Sequence, residues 1–281
     1  MTQDGIEGQD RRDPPRAEAA EARTPGIGGV LAALATGFAL ATVLGAAASF
    51  LIPGSLASIF FLAEVGLLAG VVLFLKASGH DVATAMRTGP VPTAVFPLAV
   101  RLGVALLLAN IAASALLGPP SRDLEIISGS HGIVERIVLT ISVILAAPVI
   151  EEALFRGLLQ GTLESRLRPW FAIVVAALPF ALLHGPKPAL FFFAWSLPVG
   201  WVTWRTSSIR PGIVVHAINN LVGLIGLFAA GSFETEPVEH GIGAIVVSTA
   251  MLAFAAMWTV RLCGRIAEVA KHNRAPLRTD R

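Results

Sequence analysis

Between residues 27 and 262 the chain is a succession of eight apolar stretches, roughly 27–52, 55–77, 92–118, 133–160, 169–185, 188–205, 210–231 and 241–262. A helix needs about 20 mostly apolar residues to cross the hydrocarbon core of a bilayer. Backbone polar groups find no water there, so a spanning segment must satisfy them within itself, as a helix does. The fifth and sixth stretches are short and are joined by the breaker run Gly185-Pro186-Lys187-Pro188. The pattern predicts an all-α polytopic transmembrane helix bundle of about eight spans. Residues 1–26, polar, mixed in charge and rich in Pro, Gly and Ala, read as a disordered tail, and 263–281 as a basic C-terminal tail. The apolar stretch after the first tail is too long for a signal-peptide core, so no cleavable targeting segment is evident.

Composition agrees. Asp, Glu, Lys and Arg make up 14% of the chain and hydrophobic residues 54%, which excludes a soluble globular fold, a coiled coil and a disordered chain. The formal net charge of +2 does not point to nucleic acid, because the basic residues flank apolar spans and form no stripe interleaved with aromatics. Their placement instead sets orientation. With the amino terminus on the cytoplasmic side, 16 Lys and Arg outside the spans fall on that side and only two, Arg122 and Lys187, on the other. This positive-inside bias implies a multi-pass protein of the cell membrane with both termini cytoplasmic. A single cysteine, Cys263, excludes a disulfide framework and a multi-thiolate metal site; just past the last expected span it is an inert thiol or an S-acylation position.

An ionisable side chain in hydrocarbon is costly and is a functional candidate until a partner is found for it. Glu64 in the second span and Arg101 in the third fall near mid-bilayer at 1.5 Å per residue, where they could form a structural ion pair or line a pathway. Glu135 and Arg136, near a membrane surface, read as interfacial anchors. Three constellations follow in apolar surroundings: Glu151, Glu152 and Arg156 in APVIEEALFRGLLQ, His184 in LPFALLHGP, and His216 with Asn220 in GIVVHAINNLVG. Each alone could be an interhelical hydrogen bond; together they suggest one buried polar site.

Helical spacing separates the roles. Glu152 and Arg156 are four apart, acid first, the favourable order for an ion pair on one face. Glu151 is turned about 100° away and is left to face a cavity as a general base. His216 and Asn220 share a face and offer two donors suited to a developing oxyanion, while Phe180 lies one turn below His184. These are the groups needed to add water to an amide. A serine route finds no G-x-S-x-G context, Ser196 included. H-E-x-x-H is absent, and no Asp lies within a span.

The chain therefore resembles the CPBP family, the CAAX-protease and bacteriocin-processing (Abi) intramembrane proteases. Its marks are E-E-x-x-x-R, F-x-x-x-H and H-x-x-x-N/D on successive membrane helices, present here as Glu151-Glu152-Ala153-Leu154-Phe155-Arg156, Phe180 to His184 and His216 to Asn220. The resemblance covers about residues 140–230, a protease core within the bundle. It implies that Glu151 activates water with help from His184, that His216 and Asn220 stabilise the oxyanion, and that Glu152, Arg156 and Phe180 support the site. The family has been described both as metal-free glutamate proteases and as metalloproteases. Metal-free catalysis with no cofactor is the favoured expectation; if zinc is used, Glu151, His184 and His216 are its ligands. The implied partner is a peptide or protein with a membrane-associated segment, such as a CAAX-type tail, a leader peptide or a membrane anchor, together with the lipid bilayer and no nucleic acid. A proton-coupled transporter using the same ionisable groups, or an inactive membrane scaffold, are the alternatives.

One geometric demand follows. On straight, perpendicular helices Glu151 and His184 would lie near opposite membrane surfaces. For catalysis they must stand within about 12 Å. That requires a fourth span starting near residue 140, with 124–139 partly interfacial, or a break at Pro148, and a fifth span ending inside the membrane.

Overall fold

The computed structural model describes residues 25–117, 132–185, 189–230 and 241–272. Among them are nine helices and no strand: α1 (Ile27–Leu51), α2 (Leu56–Ala77), the single turn α3 (Val82–Ala85), α4 (Val95–Leu117), α5 (Ile133–Glu164), α6 (Pro169–Leu183), α7 (Ala189–Thr206), α8 (Arg210–Ala230) and α9 (Ile242–His272). Each of the eight apolar stretches is helical. Five helices, α1, α2, α4, α5 and α9, are long and apolar enough to cross a membrane. The apolar α6 is shorter, at 15 residues. The apolarity of α7 is diluted by Ser196, Thr203 and Arg205, and that of α8 by Arg210, His216, Asn219 and Asn220. The tail expected at 1–26 lies, up to residue 24, outside the described residues, as do 124–131 and the last nine positions. The last helix continues to His272, past the end expected at 262, because Leu262, Cys263 and Ile266 are buried against the bundle.

The first two helices form a tight hairpin, and glycine makes it so. A Cβ on Gly70 would come within 2.7 Å of Gly37 Cα, and one on Gly66 within 2.9 Å of Ala41 Cα. Helices in lipid gain little from hiding apolar side chains, so small residues that let backbones approach supply the packing. The outer faces carry large apolar side chains, Phe50 at 86% exposure and Val260 at 72%. In water such a belt would be an aggregation surface; against acyl chains it is the expected boundary.

The helix α5 is the axis of the bundle, packed on α2 in its first half and on α6 and α8 further along, while α4 lies against α8 and α9. The start of α8 is tied down by the segment after α3: Ile209 N–H donates to the Arg87 carbonyl at 3.0 Å and Ser208 Oγ to the Gly89 carbonyl at 2.6 Å. Gly157 of α5 sits against the Met86 carbonyl, where no side chain would fit. These links fix the depth at which α8 and α5 meet.

The membrane ion pair between Glu64 and Arg101 is not formed. Glu64 Oε2 accepts a hydrogen bond from Ser142 Oγ of α5 at 2.7 Å, and the Arg101 side chain is exposed on α4. The reason is topological: α2 packs chiefly on α1 and α5, so the nearest polar group to Glu64 is on α5.

Candidate active site

The backbone of α5 departs from α-geometry twice, around Glu151. Ser142–Ala146 and Glu152–Leu159 are π-helical, and the Ala147 N–H reaches back five residues to the Ser142 carbonyl. Such wide turns shift the phase of everything after them and recur at functional sites. In that register the next N–H would belong to residue 148 and would take the Val143 carbonyl. Residue 148 is proline and has none. The Val143 carbonyl accepts instead from Asn220 Nδ2, at 2.8 Å. So Pro148 does not break the helix, which runs from Ile133. The phase shifts, and an α6 that ends at Leu183 with His184 as its cap, bring the polar groups together.

Glu151 Oε2 stands 4.0 Å from His184 Nε2 and 3.8 Å from His216 Nε2. The Glu151 side chain is 25% exposed and that of His184 17%, whereas Glu152 is fully buried. Of the two adjacent carboxylates, only Glu151 has an exposed face, and that face is not Oε2, which is buried. Glu152 Oε1 lies 3.1 Å from Arg156 Nη1 and 3.1 Å from His216 Nδ1. Arg156 also donates through Nη2 to Ser196 Oγ at 2.9 Å, and its guanidinium lies 3.9 Å over the Phe180 ring. Removing one partner from a buried ion pair of this kind leaves a stranded charge and costs about 3–5 kcal/mol.

Both imidazoles have their tautomer set by an acceptor. His184 Nδ1 is 2.8 Å from the Phe180 carbonyl, which can only accept, and His216 Nδ1 faces the Glu152 carboxylate. Each neutral ring thus donates from Nδ1 and turns a bare Nε2 toward Glu151. Glu151 Oε2 is itself buried and without a hydrogen-bond partner. Three acceptors converge, and the arrangement calls for a donor between them.

The expected oxyanion pair is modified by these contacts. His216 spends its one neutral N–H on Glu152, so it donates toward the site only when Nε2 carries a proton. Asn220 uses one of its two N–H bonds on Val143 and keeps the second. Zinc, the alternative, asks for tighter spacing. Ligands about 2.0–2.1 Å from a tetrahedral zinc stand ~3.4 Å apart, closer than the 3.8 and 4.0 Å found here. Among the described residues no three His, Cys, Asp or Glu side chains are gathered to hold a metal ion.

Sequence spacing did not find four contributors. Ser196 anchors Arg156 through its Oγ. Phe192 stacks on His184 with centroids 3.9 Å apart, and Trp195 meets His216 edge-on at 4.9 Å, so the two rings fix the histidines. Gly212 leaves room for Glu152: a Cβ there would lie 2.7 Å from Oε2. The aromatic run Leu190-Phe191-Phe192-Phe193-Ala194-Trp195 stands in the sixth apolar stretch, where hydropathy alone does not distinguish it from its neighbours.

Residues 133–222 match the family described as type II CAAX prenyl endopeptidase Rce1-like. That stretch runs from the first turn of α5 to two residues beyond Asn220 and contains all three motifs. The resemblance to the CPBP membrane proteases is thus borne out, and over this stretch the chain is similar to a family of CAAX-processing endopeptidases. No curated protein and no solved structure matches the chain.

Proposed function

We propose that the protein is a metal-free intramembrane endopeptidase that hydrolyses a peptide bond near the membrane surface in a CAAX-type, lipid-anchored tail. The observation that carries this reading is the unpartnered Glu151 Oε2 with a bare imidazole nitrogen on either side. A water 2.8 Å from two acceptors set 3.8–4.0 Å apart subtends about 90°, near its own H–O–H angle. Such a water is held by Glu151 and one histidine with an oxygen lone pair free to attack.

Attack on the scissile carbonyl forms the C–O bond as Glu151 takes the water proton. The carbonyl electrons move to oxygen, where the second Asn220 N–H opposes the charge. His184 relays the proton to the leaving nitrogen as the C–N bond breaks, releasing an amine and a carboxylic acid that loses its remaining proton to water. Glu152 and Arg156 hold His216 and take no proton. The cytoplasmic side holds both termini in this proposal.

The test is cleavage of a fluorogenic farnesylated peptide ending in a CAAX sequence by the purified, reconstituted protein. Glu151→Gln is expected to lower kcat/KM by about 100- to 10,000-fold while unfolding at the wild-type temperature. Glu152→Gln is expected to lower the unfolding temperature as well. Unchanged cleavage by Glu151→Gln would falsify the assignment. Full activity in a chelator is the expected result for metal-free chemistry; loss restored by added zinc would make Glu151, His184 and His216 ligands.

A further inference from the structure

Two hydrogen bonds meet on the wide turn Ser142–Ala146 from different helices. From α8, Asn220 Nδ2 donates to the Val143 carbonyl. From α2, Glu64 Oε2 accepts from Ser142 Oγ, and Ser142 is fully buried. The two anchored residues are neighbours in one turn. Because Pro148 supplies no N–H, the helical ladder does not fix the Val143 carbonyl in its π register. Its position is set by what holds Ser142 and by Asn220 itself. Glu64 lies in a different helix from every motif residue and outside residues 133–222.

We propose that Glu64 is a positioning residue for Asn220, acting through Ser142 and the Val143 carbonyl. The proposal rests on the role given to Asn220 above. Glu64 touches neither substrate nor reacting atoms; it supplies an acceptor oxygen that holds the turn in register. A catalytic group displaced by about 1 Å costs on the order of 100-fold in rate. Loosening the turn therefore acts on kcat.

The experiment uses the full chain in proteoliposomes, with Glu64→Leu, Glu64→Gln and Ser142→Ala each made alone and together with Asn220→Ala. The probe is the farnesylated CAAX peptide, and thermal unfolding is followed in parallel. Glu64→Leu and Ser142→Ala are expected to lower kcat about 10- to 100-fold with KM within about twofold. Glu64→Gln keeps an acceptor oxygen and is expected near wild type. In the Asn220→Ala background all three are expected to be silent. Two results overturn the proposal: Glu64→Gln as damaging as Glu64→Leu, which would make Glu64 a proton carrier, or Glu64→Leu multiplying the Asn220→Ala loss in full. If the wild-type protein leaves the peptide intact, the failure belongs to the proposed function. The unfolding temperatures still decide the link, since additive shifts for Glu64→Leu and Asn220→Ala overturn it and non-additive ones support it.

Discussion

Two adjacent glutamates carry opposite duties because one residue of helix rotation separates them. Glu151 reaches water and meets bare nitrogens, whereas Glu152 is sealed against Arg156 and His216. The sealed pocket has no slack. An added methyl at Gly212 would press on Glu152 Oε2, and the carboxylate cannot retreat without leaving Arg156 or His216. Gly212→Ala is expected to destabilise the protein by about 1–3 kcal/mol and to reduce cleavage, read from thermal unfolding and peptide turnover in the same preparation. A variant as stable and active as wild type would show that Glu152 has room the packing denies it. Phe192 and Trp195 act at the same scale, holding imidazoles whose donor and acceptor ends must not exchange.

At the scale of the helix, α1 and α2 depend on backbone contact and α5 on irregularity. Gly70→Val places a branched side chain against Gly37, and the hairpin must splay. The expected result is a lower unfolding temperature, with Glu64 on α2 drawn away from Ser142. A double change with Gly37→Val that worsens nothing further would locate both effects in one contact. The positions of these helices were legible in the sequence, since apolar runs, the Gly185–Pro188 breaker and the i, i+4 pairs are local signals. The pairing of Glu152 with Arg156 was visible for the same reason. The partner of Glu64 was not, because it depends on which helix lies beside α2, and hydropathy does not record neighbours. Nor were the π-helical turns, since apolarity measured along a chain is blind to hydrogen-bond register. Asn220 was recognised by spacing, but its anchor on Val143 needed the combined effect of that register and Pro148.

For the molecule as a whole, charge asymmetry is the basis of the expected orientation. On eight spans, sixteen Lys and Arg would fall on one side against two on the other, an expected bias that outweighs what any single loop contributes. Both termini are expected to react with a membrane-impermeant reagent only after the cytoplasmic face is exposed, tested with a single cysteine placed at either end of a Cys263→Ser chain. Labelling of either end from outside intact cells would refute that orientation. The exposed apolar belt of α1 and α9 and the polar heart between α5, α6 and α8 divide the bundle into a lipid-facing rim and a chemical interior. The family match falls on residues 133–222, and the glycine hairpin of α1 and α2 outside it reaches that interior through Glu64.

The wide turns of α5 also govern which changes of length the chain tolerates. Each holds one residue more than an α-turn. Deleting a single residue from Ser142–Ala146 would let an ordinary α-turn close there, and because the wide turn is one extra residue accommodated in place, the two halves would keep nearly their relative phase. The change is local: Ser142 and Val143, which meet Glu64 and Asn220, would leave their places. When related chains are aligned through this helix, a one-residue gap within the turn is expected to spare the approach of Glu151 to the histidines and to cost these two anchors.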